Sequence, residues 1–176
     1  HALMDLRSSP IPRFRRKPTG EIFDRTRLSP GQLRTVANRR FDDAKYLRNS
    51  GNNARANGAM YLAGFVLECL LKARLLERYS WLQSHGRSKI LTARRERVIW
   101  DLCYRSHDLA GILECLPELR GRFDGLGQRE GNRLWQNLTS ICGQWTIFAR
   151  YSPKSANITE AGEFLDQIKE IKEWLS

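Results

Sequence analysis

The sequence predicts an all-α fold, an antiparallel up-and-down bundle of four to five helices, on three observations. Apolar residues recur at helical spacing along most of the chain, no segment alternates apolar and polar side chains as a half-buried strand does, and helix-start and helix-stop residues bracket the periodic segments. With 176 residues, 41% of them hydrophobic, the chain suits one domain with a sizeable core.

Residues 4–28 contain Pro10, Pro12 and Pro18, show no helical period and are rich in arginine. They predict an extended basic arm over residues 1–28, ahead of a helical bundle over residues 29–176. His1-Ala2-Leu3 before Met4 reads as an expression scar. Ser29 as N-cap and Pro30 at the first helical position start a helix whose apolar stripe is Leu33, Val36, Ala37, Phe41, Ala44 and Leu47. Asn49-Ser50-Gly51 ends it. A second helix is expected from about Asn53 to Leu82, a third through TARRERVIWDLCYR with Val98, Ile99, Leu102 and Cys103 inward, and a short fourth from Ser106 or Asp108 to Pro117. Gly121, Gly125, Gly127 and Gly131 predict a flexible connector, because they match no phosphate-cradling glycine spacing. Leu134, Leu138, Ile141, Cys142, Trp145 and Phe148 line a helix ending at Arg150 to Pro153. The last helix, capped at Asn157 or Thr159, buries Ile158, Ala161, Phe164, Leu165, Ile168, Ile171 and Leu175.

Composition narrows the function. The net charge is +11 and the pI about 10.0, and residues 1–100 hold 21 of the 30 Lys and Arg. A basic half beside a nearly neutral one points to a polyanion, phosphate backbones being the commonest kind. Arg13, Arg15, Arg16 and Lys17, interleaved with Phe14, are the expected nucleic-acid contacts. Cys69, Cys103, Cys115 and Cys142 form no C-x-x-C and sit among apolar residues, which predicts reduced core thiols; Cys103-x3-His107 has no second pair to complete a metal site. No metal or cofactor is expected. Glu68 interrupts the longest apolar run, so no membrane-spanning helix is expected, and a cytoplasmic location follows from the absence of a secretory signal.

The stretch YLAGFVLECLLKARLLE, residues 61–77, is apolar nearly all round a helix yet carries Glu68 and Lys72. With Gly64 they stand at i, i+4, i+8, a line along one side. Either such a line opens to solvent or further polar partners meet it, because an unpaired buried charge costs several kcal/mol, whereas an exposed pair contributes about 0.2–0.5 kcal/mol. Ser106-His107-Asp108-Leu109 at one helix start and Arg150-Tyr151 at another helix end can supply them. Glu68, Lys72, His107, Asp108, Arg150 and Tyr151 are therefore the candidate ligand-binding cluster.

The ordered set MYLAGFVLECLLKARL, SHDL, then W and RY closing a helix, and EAGEFLDQIKEIKEWL over about residues 33–175 resembles the HEPN family (higher eukaryotes and prokaryotes nucleotide-binding domain). The resemblance implies a helical bundle, frequent homodimers, and work on RNA or nucleotides in defence, toxin–antitoxin or stress systems. Many members are metal-independent ribonucleases that carry Arg, four to six residues, then His. Here RYSPKSANITEA follows Arg150 with no His, and the interior match Arg78 to His85 is expected by chance in so arginine-rich a chain. The expectation is thus a binding module without the usual ribonuclease motif. The alternatives are a metal-independent endoribonuclease with His107 as general base and Arg150 or Lys72 on the phosphate, or a protein partner of a nucleotidyltransferase.

Overall fold

The computed structural model describes residues 28–84 and 93–176; the arm up to residue 27, with Arg13, Arg15, Arg16 and Lys17, and His85 lie outside the described residues. Ser29 starts α1 (Pro30–Asn49), its side chain accepting from the Gln32 amide, and Leu33, Ala37, Phe41 and Ala44 form the buried stripe. Gly51 (φ 66°) turns the chain, and a 3-10 turn at Asn53–Arg55 leads into α2 (Ala56–Arg78). The second helix is therefore shorter than expected. Tyr79 (φ −115°, ψ 72°) breaks it, and α3 (Trp81–Ser84) is a separate turn. Beyond it lie α4 (Arg94–Tyr104) and α5 (Leu109–Glu114), then α6 (Glu118–Asp124), α7 (Gln128–Gln144) and α8 (Ile158–Leu175).

Side-chain contacts fix the directions of the long helices. Arg34 near the start of α1 pairs with Glu77 near the end of α2 at 2.7 Å, so these two are antiparallel. Asn53 accepts from the Ile158 amide and Arg74 donates to the Leu175 carbonyl, so α2 and α8 run the same way. Arg133 of α7 meets Glu170 of α8 at 2.7 Å, while the other end of α7 reaches the start of α8, so these are antiparallel. In chain order α1, α2, α7 and α8 alternate up, down, up, down, as in a four-helix bundle. The shorter α3 to α6 fill the connection between α2 and α7. α2 packs against α1, α8, α4 and α5, which explains why it is apolar on nearly every side.

Three further expectations need correction. Residues 118–132 are not a flexible connector but α6 and the start of α7: Leu119 and Phe123 are buried, and Phe123 packs against Trp135 and Trp174. The glycines there have separate jobs. Gly127 (φ 90°) makes the break between the helices, and a side chain at Gly131 would strike the Phe123 carbonyl, so α7 can cross α6 closely only there. The helix over residues 134–150 also stops sooner, at Gln144. Trp145 is extended (ψ 134°), and Ile147–Tyr151 forms a 3-10 turn capped by Thr146, which turns Phe148 outward to 71% exposure. Val98 is likewise half exposed. α8 begins as expected at Asn157, whose capping box with Glu160 is complete. No helix among the described residues is long and apolar enough to cross a membrane.

Candidate functional site

Glu68 and Lys72 are buried, at 3% and 8% exposure, and their partners come from the turn between α4 and α5. Lys72 Nζ donates to Glu68 Oε1 and to the Ser106 carbonyl, both at 2.8 Å. His107 Nδ1 lies 3.0 Å from both Glu68 oxygens. The carboxylate is thereby engaged on both oxygens, and the ammonium has two acceptors. Burying this pair is tolerable because almost every donor and acceptor is used. The network also latches the 105–108 turn onto the centre of α2. Asp108 follows in the chain but points elsewhere: it caps α5 by accepting from the Gly111 amide at 3.0 Å.

The His107 side chain is 39% exposed. With Nδ1 turned to Glu68, Nε2 is the ring nitrogen left without a hydrogen-bond partner among the described residues. A carboxylate that fixes the ring and tautomer of a partly exposed imidazole is the arrangement used for proton transfer.

Gly64, one turn before Glu68, serves another purpose. The Trp145 indole lies where a side chain at Gly64 would be: a Cβ there would come within 1.9 Å of Nε1. The same indole stacks on Tyr61, with centroids 5.9 Å apart and planes 24° apart. Among the described residues Trp145 Nε1 is buried without a hydrogen-bond partner, a cost accepted for the close approach.

Arg150 belongs to this second group. Its guanidinium sits 5.5 Å from the Tyr61 ring centroid and 5.2 Å from that of Tyr151, and its Nε donates to the Ile147 carbonyl. Tyr151 is 73% exposed and Phe148 almost as open. Arg150 is exposed, with no carboxylate at ion-pair distance among the described residues. Beside it lies a cleft of about 670 Å³ between α2, α7 and the start of α8, with Tyr61, Trp145 and Lys154 in its walls. Asn57 holds the far rim, donating to the Lys154 carbonyl and accepting from the Ala156 amide.

The six expected residues thus fall into two groups on one side of α2. Glu68, Lys72 and His107 are bound together with Asp108 alongside, whereas Arg150 and Tyr151 gather on Tyr61. Tyr61 and Glu68 are seven residues apart, about 10 Å of helix rise, and no hydrogen bond, ion pair or ring contact among the described residues joins the groups. Sequence reasoning missed Tyr61, Trp145 and Lys154. Tyr61 carried a usable signal, standing three residues before Gly64 on the same helix face. Lys154, in an irregular segment, carried none.

The thiols are structural. Burial pushes Cys69 and Cys142 up to about 12 and Cys103 to about 11, so they stay protonated in the folded chain. Among the described residues no three His, Cys, Asp or Glu gather in a way that could hold a metal ion. The chain matches no protein-family model, no curated protein and no solved structure.

Proposed function

We propose that the chain is an RNA- or nucleotide-binding module, the activity implied by its resemblance to HEPN domains. The observation that carries this reading is Arg150, a cation with no carboxylate partner among the described residues, held between Tyr61 and Tyr151 on a turn that also exposes Phe148. Exposed aromatic rings around a free guanidinium suit a strand whose bases stack and whose phosphate pairs with the cation. Without such a ligand, two large aromatic side chains in water on one turn serve no packing purpose. The excess of basic residues favours the same partner. The test is equilibrium binding of a single-stranded oligoribonucleotide: Arg150→Gln should weaken binding about tenfold or more, while Arg129→Gln, an exposed arginine on α7, should cost far less. Equal affinity for wild type and Arg150→Gln would rule the reading out.

A second reading, a metal-independent endoribonuclease, rests on the Glu68–His107 pair. Nε2 would take the proton from a 2′-hydroxyl while Glu68 stabilises the imidazolium that forms. His107→Ala should then abolish cleavage that needs no metal, and His85→Ala should leave it intact. Absence of cleavage by wild type would leave the binding reading in place and dismiss this one.

A further inference from the structure

The cleft beside Arg150 differs in character from the turn that carries the arginine. Among the described residues its walls hold one cation, Lys154, and one anion, Glu160, and the Glu160 carboxylate is already engaged by the Asn157 amide in the capping box. The remaining lining is uncharged. Tyr61, Trp145 and Phe164 give flat apolar surface, while Gln144 and Gln167 set amides along the edges. With one cation balanced by one anion, the lining offers a phosphate no net charge, so a phosphate inside would lose its hydration with little return. A flat, neutral heterocycle with hydrogen-bonding edges fits each of these features, and the volume lies within the about 300–1,000 Å³ of small-molecule sites. Tyr61 connects the two regions, since one ring lines the cleft and carries the Arg150 guanidinium.

We infer that the cleft between α2, α7 and α8 takes the unpaired base of one ribonucleotide, whose phosphate stays outside on Arg150. The inference rests on the proposed function and specifies it: the ligand is a nucleotide with a free base, either a mononucleotide or a strand position splayed out of its stack. A duplex keeps its bases paired and stacked, and cannot offer one without the cost of extrusion.

Tryptophan fluorescence titrations with adenosine, AMP, inorganic phosphate, a single-stranded oligoribonucleotide and its duplex separate the sources. AMP should bind more tightly than adenosine, phosphate alone should bind far more weakly than either, and single strands should compete with AMP where duplex does not. Ser140→Phe places a ring in the cleft from an exposed position on α7, so the fold, checked by circular dichroism, should persist. It should weaken adenosine and AMP alike by about tenfold or more, the range of one lost base–aromatic stack. Arg150→Gln should instead remove only the advantage of AMP over adenosine. Single-stranded RNA that binds Ser140→Phe as tightly as wild type would overturn the inference and spare the proposed function. No binding of any nucleotide or RNA to wild type would overturn both.

Discussion

Gly64→Ala tests how the arginine-bearing turn is held. A methyl at this position would lie 1.9 Å from Trp145 Nε1, 2.1 Å from Cδ1 and 2.5 Å from Cε2, so the indole must retreat by more than about 1 Å. It cannot do so freely, because Tyr61 is stacked against it. Replacing glycine in a helix interior contributes about 1 kcal/mol on its own. Against that stand overpacking of about 1–3 kcal/mol and, if the ring is expelled, loss of an aromatic pair worth about 0.5–1.5 kcal/mol beyond burial. The expected balance is a net loss of about 1–3 kcal/mol, read as a lower urea midpoint with an unchanged slope. Gly121→Ala is the control: this residue stands mid-way in α6 with open space around its would-be Cβ, so the same substitution should stabilise by up to about 1 kcal/mol. Because Trp145 leads into the turn at Ile147–Tyr151, Gly64→Ala should also weaken RNA binding, which Gly121→Ala should not. A Gly64→Ala protein as stable as wild type, with its RNA affinity intact, would refute the account of this contact.

Glu68→Gln removes the charge that balances buried Lys72, and should cost about 3 kcal/mol or more in urea denaturation; a change below about 1 kcal/mol would mean that the Ser106 carbonyl and water suffice. Alkali should destabilise the fold through the thiols. Cys69, Cys103 and Cys142 are raised from 9.0 to between about 11 and about 12, so the unfolded chain ionises first. Their contribution is complete below pH about 9 and is lost as pH rises towards about 12, and a urea midpoint that stays flat across that window would contradict it. Affinity for RNA should fall by orders of magnitude between about 50 and 200 mM salt, and deletion of residues 1–28 should weaken it while the thermal transition of the bundle stays put. Binding indifferent to both would make the basic excess a matter of solubility alone.

The helices were legible wherever period and caps agreed: Ser29-Pro30 and Asn157 with Glu160 start α1 and α8 as read, and the buried stripes of both follow the heptad-like spacing. Glycine misled the reading over residues 118–132, since Gly121 and Gly131 reside inside helices. One is tolerated on an exposed face, and the other is required by a backbone crossing that only tertiary structure defines. The need for partners around Glu68 and Lys72 was readable from the cost of burying charge, and His107 met it. The Ser106 carbonyl could not be read, because every residue has one. Arg150 and Tyr151 were assigned to the same cluster since nothing in the sequence marks the break at Trp145, where the helix ends six residues early and carries them to Tyr61.

Photocrosslinking addresses the central claim most directly. A single-stranded oligoribonucleotide containing 4-thiouridine, irradiated with the full chain and digested for mass spectrometry, should attach to the turn that bears Phe148, Arg150 and Tyr151 or to its neighbour Tyr61, and Arg150→Gln should reduce the yield. Crosslinks confined to other helices, or a yield that Arg150→Gln leaves unchanged, would contradict the assignment of this surface to RNA.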